Sequence, residues 1–299
     1  MATSQLTETT PSQQILVNRR TPRRFENLRR LLRNKSAVVG LTVLLALVLV
    51  AIFAPYIVPY DPLKIEPGQA LLSPSPDHLF GTDQFGRDVF SRVVAGTYIS
   101  LAVGLISVGI AVIFGVTIGL VSGYYGGKVD NFLMRLIDVM LAFPGILLAL
   151  AIVSMLGPSL ANLMVAVGVS SIPTYARLTR GSVLSAREEL YVDAARSIGV
   201  RNRTILGRHL LPNVVAPIIV TATLGVGAAI LWAAALSFLG LGSQPPTPEW
   251  GRMLSEGRQY LRDQWWISTF PGLAIMITVL ASNLLGDGLR DTLDPRLKT

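Results

Sequence analysis

The sequence predicts an all-α membrane protein with six transmembrane helices and both termini on the cytoplasmic side. Three observations carry that expectation. Of the 299 residues, 51% are hydrophobic and only 15% charged, against about a quarter charged in soluble domains; the mean hydropathy is +0.53. Long stretches hold no Asp, Glu, Lys or Arg, and a helix needs about 20 apolar residues to cross a bilayer. The basic residues between those stretches also alternate in number from one side to the other.

The charge-free intervals are 36–60, 93–127, 139–176, 210–248 and 264–286. The first follows a polar, arginine-rich start (NRRTPRRFENLRRLLRNK). It is too long for a signal-peptide core and ends in APYIVPYDP, so it is expected to stay as a span. The second holds one span plus flanks. The third is too long for one crossing and breaks at Gly157-Pro158-Ser159, which predicts two spans joined by a tight turn. The fourth holds one span and then the extended QPPTP segment, where prolines preclude a regular helix. The fifth holds the last span. Helices pair their backbone groups internally, as a bilayer requires.

With the N-terminus inside, 20 of the 26 Lys and Arg residues fall in cytoplasmic segments and 6 in the loops 61–92 and 249–263. That bias sets N-in, C-in. It also disposes of nucleic acid as a partner, because the positive charge follows the membrane topology rather than one binding face. Trp250, Trp265 and Trp266 lie in or beside the last external loop, and their indoles are expected at the bilayer interface. Ala111, Gly115, Gly119 and Gly123 recur every four residues in the second span. Such a small-residue ladder admits a close helix neighbour, within this chain or across a subunit interface.

Several chemistries are excluded. There are no cysteines and only two histidines; His78 and His209 fall on opposite sides of the expected membrane and cannot share a metal site or a triad. GYYGGKV (123–129) lacks a P-loop's glycine spacing and its Ser/Thr, so no Walker A element is present and any nucleotide must bind a partner. Asp83 and Asp88 miss the spacing of a calcium loop. They sit in GTD (81–83) and GRD (86–88), which are expected to form turns, with Asp88 capping an interfacial helix. Asp138 lies one turn after Arg135 near the end of the third span. It is expected to pair with that arginine; the competing role is the ion site of a stand-alone, ion-coupled carrier.

The charged stretch YVDAARSIGVRNRTILGRHLLPN (191–213) interrupts the apolar pattern. Leu190, Ala194 and Ile198 lie four apart with Ala195 beside them, which makes one helix face. Gly199 is a natural stop, and Asn202 can cap the helix that re-enters the bilayer after Pro212. The exposed face is small, with two alanines, and a bulky partner fits against it. Composition alone favours a short amphipathic helix lying on the membrane. The spacing is more specific: Asp193-Ala194-Ala195, Gly199 and Leu211-Pro212 resemble the EAA loop of ATP-binding-cassette (ABC) importer permeases. That pattern is Glu-Ala-Ala, three residues, Gly, nine residues, Ile, any residue, Leu-Pro; here Asp193 replaces the glutamate and His209 the isoleucine.

HLFGTDQFGRDVFSRVVAGTYIS (78–100), FLGLGSQPPTPEWGRML (238–254) and NLLGDGLRDTLDPRL (283–297) extend the resemblance. They are similar to the dipeptide/oligopeptide permease family, in its "C" subunit type, from about residue 33 to the end. The resemblance implies a type I ABC importer permease fold and a coupling helix at about 190–200 that docks on an ATP-hydrolysing subunit. It divides the chain into a basic segment 1–35, a first helix and external loop 36–96, a five-span core 97–289 and a tail 290–299. It also implies a homologous second permease subunit in a heterodimer, two ATP-binding subunits that hold ATP and Mg, an external solute-binding protein and a bacterial inner-membrane location. No cofactor and no catalytic residue is expected in this chain.

Overall fold

The computed structural model describes residues 29–293; most of the segment 1–35 and the end of the tail lie outside the described residues. Within them the regular structure is helical, with one isolated β-bridge between Thr82 and Asp88. Helix α1 (Lys35–Ile57) begins at Asn34, whose side-chain oxygen accepts the Ala37 N–H at 3.2 Å. Helix α2 (Val89–Tyr125) has 37 residues, about 55 Å at 1.5 Å per residue. That exceeds a hydrocarbon core of about 30 Å, so part of α2 stands among the loops. Its cap is Asp88, whose Oδ2 accepts the Ser91 N–H at 2.7 Å. Asp88 therefore starts the long helix itself, and no separate interfacial helix intervenes.

The third charge-free interval folds differently from the expectation. Helix α3 (Gly127–Leu141) and helix α4 (Gly145–Leu156) meet at 88°, because Pro144 at the start of α4 cannot continue the preceding helix. With 12 residues, α4 reaches about 18 Å and is too short to cross alone. The turn at Gly157-Pro158-Ser159 is present, and Ser159 caps α5 (Leu160–Ala186) by accepting the Asn162 N–H at 3.1 Å. A short helix α6 (Leu190–Ser197) follows. One turn (Asn202–Thr204) and a π-helical segment (Ile205–Leu210) then lead into α7 (Leu211–Phe238). The last helices are α8 (Trp250–Gly257) and α9 (Trp266–Leu293). Among the described residues four continuous helices are long and apolar enough to cross a membrane: α1, α2, α7 with its lead-in, and α9; the bent pair α3–α4 makes a fifth if it counts as one span. Helix α5 is comparably long but carries Arg177 and Arg180 in its second half.

The core is built where α2, α5 and α7 meet, around Val103, Ala111, Leu163, Val167, Tyr175 and Ala229. The small-residue ladder faces α5. A Cβ on Gly115 would come within 2.6 Å of the Tyr175 Cβ, and one on Gly119 within 2.5 Å of the Ala176 carbonyl oxygen. One on Gly123 would meet Val183 at 2.9 Å, while Ala111 is fully buried. Of the two uses open to such a ladder, these contacts are the one within the chain. The tryptophans depart from the interfacial expectation. Trp250 and Trp266 are buried, and their indole N–H groups donate to the carbonyls of Val93 at 3.0 Å and Thr82 at 3.1 Å. Only Trp265 is exposed.

Candidate functional site

The segment between α5 and α7 is held from behind and open in front. Arg187, just after α5, donates from Nη1 to the Gly123 carbonyl at 2.9 Å, tying the segment to the end of α2. Val192 and Ala195 of α6 are buried in a cluster with Tyr124, Val183, Ile205, Leu210 and Val214. On the other side Leu190 is 85% and Ile198 80% exposed, with Asp193 and Ala194 also exposed. The sequence expectation that both alanines lie on the exposed face is therefore corrected: at about 100° per residue, Ala195 turns inward and is buried, while Ala194 stays outside with Leu190 and Ile198. Asp193 pairs with Arg196 at 3.4 Å, and the Arg196 guanidinium lies 5.3 Å from the centre of the Tyr124 ring.

Gly199 ends α6 at φ +75°. Its N–H bonds the Arg196 carbonyl at 3.0 Å, and the Val200 N–H bonds the Ala195 carbonyl at 3.1 Å, the paired pattern that a left-handed residue closes. Asn202 does not cap the next helix: Arg201 holds that position, and the Asn202 Oδ1 accepts the Tyr124 hydroxyl at 2.8 Å. The wide turn Ile205–Leu210 precedes Pro212 for a physical reason. Proline has no N–H for the Arg208 carbonyl and its ring crowds that oxygen, so the ladder loosens there. Leu211 is half-buried and Pro212 exposed in the first turn of α7. His209, where the resembling pattern has isoleucine, is half-buried, and its carbonyl accepts the Asn213 amide at 2.6 Å.

Asp138 does not pair with Arg135. It binds Arg177 of α5 at 2.7 Å, with both side chains more than half exposed, an arrangement that leaves no enclosed carboxylate for an ion. A second ion pair ties α3 to α5: Arg180 grips Asp130 through two bonds of 2.6 Å, and Ser122 of α2 donates to the same carboxylate. Its only sequence signal was an aspartate just after Gly126-Gly127.

At the other end of the bundle, loop 61–88 and α8 share a buried ionic cluster that sequence reasoning missed. Arg87 binds Asp83 at 2.6 Å and Glu256 at 2.8 Å. Arg92 reaches the same two carboxylates at 3.6 and 3.4 Å. Asp88 Oδ1 lies 3.0 Å from His78 Nδ1, so Asp83 and Asp88 serve different partners. Glu249 caps α8 by accepting the Gly251 and Arg252 N–H groups, each at 2.8 Å. Burial pushes its carboxyl above the ordinary value of 4.5, against the pull of those N–H donors, Ser237 and Arg252. No group of three or more potential metal ligands occurs among the described residues.

A family model for the binding-protein-dependent transport system inner membrane component matches residues 115–299. The chain belongs to that family. A second model, the N-terminal transmembrane domain of oligopeptide transport permease C, matches residues 26–74. The chain is 51% identical over 274 residues to the dipeptide transport system permease protein DppC of Alkalihalophilus pseudofirmus, covering 92% of this chain and 90% of that one. It is 49% identical to the glutathione transport system permease protein GsiD of Pectobacterium atrosepticum, covering 94% and 93%. The fold is similar to that of the MetNI methionine ABC transporter in an inward-facing form: TM-score 0.54, 18% identity, 68% of this chain and 97% of that one.

Proposed function

We propose that this permease is one of two homologous membrane subunits of an ATP-driven importer and that α6 is its coupling helix. In this reading the chain crosses the bacterial inner membrane six times, with α3–α4 as one bent crossing, α5 as the next and both termini cytoplasmic. A first helix and loop (36–96) precede a five-span core (97–289), and the tail follows. Two ATP-binding subunits hold ATP and Mg, close together around bound ATP and separate after hydrolysis; an external solute-binding protein delivers cargo to the loop end. The cargo that the relatives' names favour is a dipeptide or short oligopeptide, with glutathione-like peptides next.

One observation carries the coupling assignment. The outward face of α6 presents Leu190 and Ile198 at 85% and 80% exposure on a helix whose back is locked into the α2–α5–α7 core. A partner covering that face would push directly on the bundle. Uptake of a radiolabelled dipeptide into vesicles tests the energy source. It is expected to stop on ATP depletion and to survive an uncoupler; the opposite result would overturn the importer reading. The double variant Leu190→Asp/Ile198→Asp is expected to insert normally, and ATPase activity in the complex should no longer drive uptake. Wild-type uptake by that variant would remove α6 from the coupling path.

A further inference from the structure

Three cavities run in tandem along α5 and α7. The first, about 240 Å³, is bordered by Trp232, Thr174 and Thr221. The second, about 520 Å³, shares Thr221 and Leu224 with it and adds Asn213 and Arg290. The third, about 510 Å³, shares Asn213 and Pro217 with the second and ends at Glu189. Shared walls make them one groove, from the middle of α7 down to the start of α6. Its upper end is closed by Trp232, whose ring packs over Gly145 at the beginning of α4; a Cβ there would come within 2.6 Å of the indole.

The polar groups in this groove separate it from a lipid-facing surface. Most span hydroxyls here bond the carbonyl one turn back, as Ser171 does to Val167 at 2.8 Å and Thr223 to Ile219 at 3.0 Å; such groups tolerate hydrocarbon. The hydroxyls of Thr174 and Thr221 have no partner among the described residues, although Thr174 is exposed and Thr221 half-exposed. A hydroxyl without a partner is costly in hydrocarbon and costs nothing against water or a polar solute. The Asn213 amide lines the next stretch, held by the His209 carbonyl at 2.6 Å and the Tyr191 hydroxyl at 3.1 Å. Charge enters only toward the wide end, through one cation (Arg290) and one anion (Glu189).

We propose that this groove is the chain's share of the solute path and that it takes an amide-bearing solute, read through hydroxyl and carboxamide hydrogen bonds. A hydroxyl both donates and accepts, so it serves a peptide N–H or C=O in any register without selecting a side chain. The assignment rests on the importer reading for its cargo, but its geometry can be tested separately.

The chain has no cysteine, so each single substitution gives it one thiol, and the unsubstituted complex supplies the background. Thr174→Cys, Thr221→Cys and Asn213→Cys would be compared with Phe114→Cys, an exposed position on α2, in inside-out vesicles holding the full complex. The probes are a membrane-impermeant cationic methanethiosulfonate and permeant N-ethylmaleimide. The three groove thiols are expected to react with the impermeant reagent at least about tenfold faster than Phe114→Cys, because the thiolate reacts and an apolar setting suppresses it. Groove thiols that react no faster than Phe114→Cys, or that only cross-link to a neighbouring subunit, would overturn the groove. Trialanine uptake by the unsubstituted complex is measured alongside in right-side-out vesicles loaded with ATP and supplied with the binding protein outside. If it fails while the groove thiols react, the importer reading falls and the aqueous groove stands.

Discussion

The two ends of the bundle solve opposite problems. At the loop end Arg87, Arg92 and Asp83 are buried and pair with Glu256, whose side chain is 10% exposed and which lies 169 residues from Arg87 in sequence. At the α6 end the charges lie outside, Asp193 and Arg196 being 64% and 43% exposed, and large apolar side chains lie outside with them. Buried ions that satisfy each other fix one geometry, whereas an exposed apolar face waits for a partner. The loop end is therefore built to keep its shape, and the α6 end has the open face that the proposed coupling role requires.

The sharpest way to break that contrast is to unpair the cluster. Glu256→Ala removes the carboxylate shared by Arg87 and Arg92 and contacted by Arg252 at 3.2 Å. Leaving two buried cations to share Asp83 as their one remaining carboxylate is expected to cost about 3–5 kcal/mol, seen as a large fall in the unfolding midpoint in detergent. The matching removal at the other end, Asp193→Ala, loses only an exposed pair and should cost about 1 kcal/mol or less. Equal effects of the two substitutions would mean that the ends are not differently built.

The next test separates the back of α6 from its front. Ala195→Trp places an indole in the packed cluster with Tyr124 and Ile205 and should destabilise by about 1–3 kcal/mol. Ile198→Asp changes an outward side chain and should stay within about 0.5 kcal/mol while impairing coupled uptake. Thermal unfolding and uptake of the two variants are compared; a stable, transport-competent Ala195→Trp would place that residue on the open face.

Much of this architecture was legible in sequence, and what was not has a physical cause. Charge-free intervals marked the long helices, and Gly199 marked the end of α6 because only a left-handed residue closes that pattern. The side of α6 on which each alanine lies was not legible, because an eight-residue helix offers too few turns for its period to decide. Pairing partners were also hidden. Arg135 stood nearest to Asp138 in sequence, yet α5 brings Arg177 to it, and nothing local links Arg87 to Glu256. Trp250 and Trp266 matched an interfacial composition but became core because carbonyls of α2 and the first loop accept their indoles.

Gly199 tests a smaller effect. No atom lies within 4 Å of the position a Cβ would take there, so a substitution acts through the backbone alone. Gly199→Ala should cost about 1–2 kcal/mol for a non-glycine left-handed residue, and Gly199→Asn less, since asparagine tolerates that region. Equal unfolding midpoints for glycine, asparagine and alanine at 199 would show that α6 does not depend on this stop.

Glu249 gives the finest comparison, because at the loop end even a cap is buried. Glu249→Ala loses two N–H acceptors and should cost about 1 kcal/mol, whereas Glu249→Gln keeps an acceptor oxygen and removes the charge. The folded-state carboxyl is raised above its ordinary 4.5 by burial, so the folded protein holds this proton more tightly than the unfolded chain. Its ionisation therefore costs stability. The cost is absent below the ordinary value, grows as the pH rises toward the raised folded value, and is constant above it. Glutamine carries no such cost at any pH. The stability of Glu249→Gln relative to the parent is thus expected to rise from acidic to neutral pH in detergent unfolding series. Parallel pH profiles would mean that the Gly251 and Arg252 N–H groups fully offset the burial.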